Sequence, residues 1–459
     1  MKYCFRWFLL GSLSLACACG KEILPEDGGE AAVAPTAISV KPETIEIKRS
    51  GGSFTLEVTS PTRPKVASKP EWVNVPDGTY DSRTYQITYT VEVKAFNDIG
   101  SREGEIVLSA GSLSAAVKVQ QQGREAPAAL DIDRELVTAD ATAQVKALYE
   151  YLLSQYGKAA ISAVMADVDW NASIAQKVYQ NTGKYPAINC FDFIHIPASG
   201  SWINYSDITP VKEWHDAGGI VSLMWHFNVP VSEGSNEMSF YSSNNAFSVS
   251  RALEAGTWEN QWYMEYLDQV ADVILQLQEA GIAAIWRPYH EAAGNYYALT
   301  WKGSAWFWWG MEGPEAYKRL WDHMFDYFAS KGIRNLIWVW TAQGTNQDAN
   351  SYGSDEPFYP GDDKVDIVAR DVYGSTAAKT AADFTDIQAT YPHKMVVLGE
   401  CGRNSTNDFP AFSDIWLQGG TWGWFMPWCE DHYTMVDTDW WKNAFAQDIV
   451  LTRDQLPKF

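Results

Sequence analysis

The chain has 459 residues, which is longer than one ordinary domain, and 46% of them are hydrophobic, enough for a large buried core. Its 35 Lys and Arg against 57 Asp and Glu give a formal net charge of −22 at pH 7, so the surface repels phosphate backbones and nucleic acid is excluded as a partner. A neutral ligand is not excluded, and the 22 Trp and 23 Tyr fit either an enlarged core or contact with sugar rings.

The N-terminal residues have the features of an export signal. Lys2 and Arg6 precede an apolar run over residues 8–16, which is too short to span a bilayer. Cys17 and Cys19 follow small residues at the end of this run. The arrangement resembles the cleavage site of a bacterial lipoprotein.

This resemblance predicts a lipoprotein signal over residues 1–19, with Cys17 or Cys19 lipidated, and a flexible tether over residues 20–35. The mature protein would then be exported and anchored by lipid to a bacterial membrane, at the outer membrane, the cell surface or the periplasmic face. Plain secretion is the alternative.

Residues 36–123 alternate apolar and polar side chains in short runs between turns, with apolar side chains at every second position from Tyr85 to Val93. This pattern predicts a small all-β, immunoglobulin-like sandwich. The segment resembles the BACON family of immunoglobulin-like modules in its paired glycines at 51–52, Trp72, the REG sequence at 102–104 and the VQQQG sequence at 119–123. The resemblance implies carbohydrate binding, but we favour a spacer that holds the rest of the protein off the membrane.

Residues 124–132 are predicted to be a linker, and residues 133–459 alternate strand and helix patterns, as in a parallel α/β architecture. Helical periodicity predicts one helix over residues 258–280, closed by Gly281, and another from residue 314 to residue 332. Eight candidate strands fit a (β/α)8 TIM barrel, with a loop rather than a helix between the fifth and sixth strands. The candidate strands are residues 158–164, 185–192, 220–226, 282–291, 335–341, 365–373, 394–400 and 421–429.

In such barrels the active site lies at the carboxyl ends of the strands. Carboxylates, imidazoles and aromatic rings are therefore expected to meet at one mouth. The residues at the ends of the third, fourth, sixth, seventh and eighth candidate strands are His226, Glu291, Asp371 with Tyr373, Glu400, and Trp428.

Glu291 and Glu400 follow the fourth and seventh strands, on nearly opposite sides of this mouth. Cleavage of a sugar chain by double displacement needs a carboxylic acid that protonates the departing oxygen. It also needs a carboxylate, about 5–5.5 Å away, that attacks from the opposite face. The acid needs a raised pKa, which burial and a nearby like charge provide. Arg287 is a candidate neighbour for the ionised nucleophile, and the pair of glutamates predicts a glycoside hydrolase.

Several motifs of this region resemble glycoside hydrolase family 26, and the resemblance extends over residues 136–459. The family consists mainly of endo-β-1,4-mannanases, with a minority of β-glucanases and xylanases. The resemblance therefore implies a retaining endo-β-1,4-mannanase acting on β-mannan polysaccharide or oligosaccharide. The motifs are WRPYHE at 286–291, AWFWWG at 305–310, TGKYPA at 182–187, WHFN at 225–228 and DVYG at 371–374.

The resemblance also implies roles for individual residues. Glu291 would be the acid/base and Glu400 the nucleophile. His290 would help to set the orientation and charge of Glu291. His226 would bind the sugar at the cleaved subsite, and Tyr373 would hydrogen-bond the nucleophile or the sugar ring.

Two tryptophans, Trp306 and Trp428, would be stacking platforms that flank the bond that breaks, with Trp424 a competitor of Trp428 for that role. Arg287 and Asp371 complete the candidate substrate-binding residues.

Two loops distinguish this sequence. Residues 292–304 separate the WRPYHE and AWFWWG motifs more widely than the family usually does, which bears on the role of Trp306. The long polar loop over residues 229–256 is predicted to border the substrate cleft.

The sequence contains no pair of residues with the CxxC or HxxxH spacing of a zinc site, so no metal and no cofactor is predicted. Cys401 and Cys429 would lie at neighbouring strand ends, where a disulfide is conceivable, although buried free thiols are favoured. Two alternatives stay open for function: a substrate of β-glucan or β-xylan, and a surface glycan-binding lipoprotein whose barrel has lost catalysis. A monomer is expected.

Overall fold

The structure, a computed structural model, describes residues 33–96, 100–123, 131–167, 170–197, 203–297, 304–343 and 354–459. The predicted signal with Cys17 and Cys19 and most of the predicted linker lie outside these ranges. Contacts between residues divide the chain into a smaller unit, built mainly from residues 53–93 and 104–119, and a larger unit that includes everything from Gln120 onward. Within the described ranges, none of the helices combines the length and hydrophobicity needed to cross a bilayer.

The N-terminal region is all β. Its strands form two sheets, one in the order β1-β3-β7-β5 with β6 paired to β7, and one in the order β2-β9-β8-β4. Alternate residues are buried, most regularly in β7, as the predicted period of two requires. The strands are β1 (Ser39–Lys41), β2 (Thr44–Ile47), β3 (Gly52–Thr59), β4 (Lys65–Ser68), β5 (Val73–Asn74), β6 (Tyr80–Asp81), β7 (Gln86–Val93), β8 (Ser101–Ala110) and β9 (Leu113–Gln122).

One residue of the VQQQG sequence has a clear structural role. The side chain of Gln121 is fully buried, and its amide group donates hydrogen bonds to the carbonyl oxygens of Lys48 (2.9 Å) and Lys94 (3.1 Å). Its side-chain oxygen accepts a hydrogen bond from Arg102 (2.7 Å). Gln121 therefore links its own strand to three other parts of the chain, at Lys48, Lys94 and Arg102. The immunoglobulin-like connectivity of the strands stays a prediction.

The strands of the C-terminal region begin at Ala160, and most are buried along their whole length. They are β10 (Ala160–Met165), β11 (Ile188–Asp192), β12 (Ile220–Met224), β13 (Val229–Pro230), β14 (Met238–Ser239), β15 (Ala284–Arg287), β16 (Leu336–Ala342), β17 (Ile367–Tyr373), β18 (Met395–Gly402), β19 (Trp424–Phe425), β20 (Cys429–Glu430), β21 (Tyr433–Thr434) and β22 (Val450–Leu451).

Eight of these strands form a curled parallel sheet in the order β18-β17-β16-β15-β12-β11-β10-β19, and β22 also pairs with β10. Each of the eight overlaps one of the predicted strand segments. Near-continuous apolar strands of this kind are typical of parallel sheets covered on both faces. Hydrogen bonds also link the two ends of this strand order, from the Gly423 amide to the Val396 carbonyl (3.0 Å) and from the Cys401 amide to the Met426 carbonyl (2.9 Å).

The helices lie between these strands. The predicted helix over 258–280 is observed as α5, where the Thr257 side chain caps the first turn and Gly281 follows the last turn with a φ of 75°. The helix predicted from residue 314 is α6, which begins at a proline, where the missing N–H costs nothing. The helices are α1 (Ala143–Gln155), α2 (Ser173–Thr182), α3 (Thr209–Asp216), α4 (Val249–Ala252), α5 (Trp258–Glu279), α6 (Pro314–Ser330), α7 (Ala377–Thr390), α8 (Phe412–Leu417) and α9 (Thr438–Phe445).

Candidate active site

The backbone that follows β15 positions Glu291. The strand ends at Arg287, four residues earlier than predicted, because Tyr289 and Glu291 take left-handed φ values of 46° and 55°. Such conformations cost non-glycine residues about 1–3 kcal/mol each, so neighbouring structure must hold them. The Tyr317 hydroxyl donates to the Tyr289 carbonyl (3.2 Å), and the Trp309 indole N–H donates to the His290 carbonyl (2.8 Å). Helix α6 and the AWFWWG segment thus fix the direction of the Glu291 side chain.

Three acidic side chains meet at the carboxyl ends of β15, β17 and β18. One carboxylate oxygen from each of Glu291, Asp371 and Glu400 lies within 4.8 Å of the other two. The two predicted catalytic glutamates therefore bring carboxylate oxygens to within 4.8 Å of each other. Gly399 makes room for this arrangement, because a Cβ atom there would lie 2.6 Å from Oδ1 of Asp371.

Arg287 is the buried cation of this cluster. Its Nη1 donates to Oδ2 of Asp371 (3.1 Å) and to the hydroxyl of Thr341 (3.2 Å), and its Nη2 donates to Oε1 of Glu400. The guanidinium therefore neutralises part of the charge of two acids, as predicted for the neighbour of the nucleophile. Two such charge-assisted hydrogen bonds also fix the planes of both carboxylates.

The two glutamates have different surroundings. Burial, followed by the charges of Asp371 and Glu400, holds the pKa of Glu291 well above its ordinary value. Burial also raises the pKa of Asp371 to about 6, against the opposing charge of Arg287. Glu400 instead accepts hydrogen bonds at both oxygens, from Arg287 at Oε1 and from the Tyr373 hydroxyl at Oε2 (2.6 Å). These donors suit a carboxylate that carries a negative charge, whereas Glu291 suits a proton donor.

Two imidazoles border the acids, with ring centroids 4.5 Å apart. His226 faces Oδ2 of Asp192 through Nδ1 (2.5 Å), and its backbone N–H donates to Oδ1 of the same carboxylate (3.1 Å). With Nδ1 on this carboxylate, Nε2 is the ring atom left to hydrogen-bond a hydroxyl group. Burial lowers the pKa of His290 well below its ordinary value, so this imidazole is neutral, with Nε2 4.0 Å from Oε1 of Glu400.

Asp192 was not among the predicted site residues. It ends β11, next to β12 in the sheet, and pairs in register with Met224, two residues before His226. The signal in the sequence is an acidic residue at the end of the otherwise uncharged strand INCFD at 188–192. Its partner could not be identified without the register of the two strands.

The aromatic residues divide between the site and the core. Trp428 is half-buried, and its ring centroid lies 5.6 Å from that of His226, whereas Trp424 is buried within β19. Trp428 is therefore the residue of this pair that borders the site. Phe307, which was not among the predicted site residues, also borders the imidazoles, with its ring centroid 5.1 Å from that of His290.

Trp306 contacts Phe307. Its indole covers Gly294, where a Cβ atom would come within 2.2 Å of the ring, and its ring centroid is 6.2 Å from that of Phe307. Gly294, near the start of the insertion, thus forms part of the surface on which Trp306 rests. Trp301, in the same insertion, lies outside the described residues.

The loop that follows β12 contacts the AWFWWG segment. The Ser242 amide donates to the Trp306 carbonyl (2.8 Å), and the ring centroid of Phe240 lies 5.0 Å from that of His226. Tyr241 is 51% exposed and stacks on Phe307, with the ring planes 28° apart. An exposed aromatic face therefore adjoins the site on this loop.

The cysteines form no disulfide among the described residues. Cys190, Cys401 and Cys429 are buried and form no bridge with one another, so the conceivable disulfide between Cys401 and Cys429 is wrong. The absence of a metal site stays a prediction. Arg287 already supplies a cation to Asp371 and Glu400.

The sequence model of glycosyl hydrolase family 26 matches residues 137–455, well over half of the chain. The chain belongs to glycosyl hydrolase family 26. It is 31% identical over 342 residues to a mannan endo-1,4-beta-mannosidase of Thermothelomyces thermophilus, covering 71% of this chain and 64% of that protein. It is also 31% identical over 338 residues to mannan endo-1,4-beta-mannosidase A of a Piromyces species, covering 71% of this chain and 51% of that protein.

Two solved structures are similar to this chain. The GH26 domain of an endo-beta-mannanase/endo-beta-glucanase from Prevotella bryantii is 48% identical, with a TM-score of 0.68, and the match covers 70% of this chain and 99% of that domain. A beta-mannanase from a symbiotic protist of the termite Reticulitermes speratus, complexed with gluco-manno-oligosaccharide, is 30% identical, with a TM-score of 0.60. That match covers 72% of this chain and all of that one. The family 26 chain described here spans only half to two thirds of the length of the two curated relatives.

Proposed function

We propose that this protein is a retaining endo-β-1,4-mannanase, with Glu291 as the acid/base and Glu400 as the nucleophile. The observation that carries the proposal is the approach of their carboxylate oxygens to within 4.8 Å. Retaining enzymes need a separation of about 5–5.5 Å, whereas inverting enzymes leave about 6.5–9.5 Å for a water molecule. The short gap therefore favours direct attack on the sugar by the second carboxylate.

The charges around the pair support an order of events. Glu291 keeps its proton because burial and two neighbouring negative charges raise its pKa, and it delivers that proton to the departing glycosidic oxygen. Glu400 then bonds to the anomeric carbon and becomes a neutral ester. Loss of this negative charge removes one of the causes that raise the pKa of Glu291. Glu291 can then accept a proton from the water that hydrolyses the ester, and the two residues return to their first state.

The remaining residues position the sugar. Tyr373 holds Oε2 of Glu400, His226 offers Nε2 toward a hydroxyl group, and Trp428 offers a flat face to the ring. Tyr241 and Phe307 extend the aromatic surface on the side of the loop over residues 229–256. We therefore assign this loop to the wall of the substrate cleft.

β-Mannan is the favoured substrate because the names of the relatives include mannan endo-1,4-beta-mannosidase, and one beta-mannanase of solved structure holds gluco-manno-oligosaccharide. β-Glucan is the second candidate, because the Prevotella bryantii protein is named for both activities. Xylan stays an alternative. The hydrogen bonds between β18 and the segment that contains β19 support a complete (β/α)8 barrel. In this proposal the N-terminal sheets form an immunoglobulin-like spacer, a lipid anchor precedes that spacer, and the protein is a monomer.

The test compares hydrolysis of mannan, galactomannan, lichenan and xylan by the wild-type protein and by Glu400→Ala. The proposal expects the wild type to prefer the mannans, and the variant to bind mannan oligosaccharides without cleaving them. A preference for lichenan or xylan would change the substrate while keeping the chemistry. Binding without turnover by the wild type would favour the glycan-binding protein instead.

A further inference from the structure

A short hairpin beside Trp428 carries an unusual turn. Strands β20 and β21 pair antiparallel and are joined by Asp431 and His432, whose φ values are 49° and 62°. Two-residue hairpin turns with two left-handed residues strongly prefer Asn and Gly. A histidine at the second of these positions therefore depends on contacts outside the hairpin.

Those contacts attach the hairpin to the ends of two strands of the sheet. Next to the end of β10, the Sγ of Cys429 donates to the Ala166 carbonyl (3.0 Å), and the Lys177 ammonium of α2 donates to the His432 carbonyl (2.5 Å). Next to the end of β18, Arg403 pairs with Glu430 (2.6 Å). The hairpin consequently lies at the carboxyl ends of the strands, on the face that carries the catalytic glutamates.

The side chain of His432 repeats the arrangement of His226. Its Nδ1 lies 2.5 Å from Oδ2 of Asp167, which follows β10, just as Nδ1 of His226 lies 2.5 Å from Oδ2 of Asp192. In both pairs Nδ1 faces the carboxylate, and Nε2, on the other side of the ring, is left to hydrogen-bond a hydroxyl group. The pairs differ in exposure, since the His432 side chain is 80% exposed and that of His226 only 7%.

We infer that the Asp167–His432 pair binds a hydroxyl group of a sugar unit that lies beyond the unit at Trp428. This inference rests on the proposed function and extends it to a more distant subsite on the same side of the cleft. The backbone supports the placement: Trp428 immediately precedes β20, and its carbonyl accepts from the Met435 amide (2.7 Å) that follows β21. A chain long enough to pass Trp428 would therefore meet the exposed imidazole.

The inference is tested with His432→Asn, because asparagine tolerates the left-handed backbone and keeps the turn while the imidazole is removed. Lys177→Met is the matched control, since it loosens the hairpin at the same residue and leaves the imidazole in place. Initial rates are measured on mannohexaose and on a short aryl mannobioside, together with the thermal unfolding midpoint. One lost hydrogen bond predicts that His432→Asn lowers kcat/KM about threefold to tenfold more on mannohexaose than on the short substrate, mainly through KM.

The control should keep the wild-type ratio between the two substrates. An unchanged ratio in His432→Asn, with the wild type cleaving mannohexaose, would overturn the inference and leave the proposed function intact. An equal change of ratio in Lys177→Met would also overturn it, because the hairpin rather than the imidazole would then be responsible. If the wild type cleaves no β-mannan at all, the proposed function fails and this inference fails with it.

Discussion

Removal of the cation at Arg287 should destabilise the protein in a manner that depends on pH. Arg287→Met leaves Asp371 and Glu400 without their buried partner, next to Glu291. Breaking a buried ion pair by removing one member costs about 3–5 kcal/mol, because the remaining charge stays buried. We therefore expect the free energy of unfolding at pH 7 to fall by about that amount, since the Arg287 side chain is 3% exposed.

The sign of the pH effect follows from the acids that remain. Burial already raises the pKa of Asp371 to about 6, and loss of the guanidinium raises it further. An acid whose pKa is higher in the folded state than in the unfolded state stabilises the fold as pH falls. The deficit of Arg287→Met relative to the wild type should thus be smaller at pH 5 than at pH 8.

Urea unfolding of both proteins at the two pH values measures this difference. Arg403→Met is the control, because its pair with Glu430 is about half exposed and should contribute less than about 1 kcal/mol. A deficit of Arg287→Met that is equal at pH 5 and pH 8 would refute the electrostatic reasoning and point to lost packing instead.

Three further predictions concern catalysis. Glu291→Gln should lower kcat/KM on mannan by about 10²–10⁴-fold, and much less on an aryl glycoside whose leaving group needs no proton; equal losses would contradict the acid role. Asp371→Asn removes a charge that raises the pKa of Glu291, so the basic limb of the kcat/KM profile should move to lower pH, and a shift to higher pH would be inconsistent with this cause. Tyr241→Ala removes an exposed stacking face and should change the lengths of the products released from mannan, as followed by chromatography; the same product lengths as the wild type would remove this loop from the cleft.

Structural features set by residues close together in the sequence were predictable. The long helix α5 carries its own capping threonine and closing glycine, and the eight strands are apolar runs between turns. Glu291 and Glu400 could be found because strand ends in a parallel sheet share one edge. Their approach confirms that the residues of the WRPYHE motif and of β18 converge.

Contacts set by the register of distant strands were not predictable in the same way. Asp192 and His226 are 34 residues apart in the chain, and they meet only because β11 and β12 are neighbours in the sheet. The early end of β15 depends on hydrogen bonds from Trp309 and Tyr317, which stabilise a left-handed backbone that the local sequence does not favour. Trp424 and Trp428 lie four residues apart in the sequence, and the structure places Trp424 in the core, in the strand β19 that pairs with β10.

The stereochemistry of cleavage tests the central claim most directly. Proton NMR during the first minutes of hydrolysis of a β-mannan oligosaccharide reports the configuration of the newly formed reducing end before it equilibrates. Two glutamates as close as Glu291 and Glu400 predict that the β anomer is released first. Initial release of the α anomer would require a water molecule between them and would contradict the assignment of Glu400 as the nucleophile.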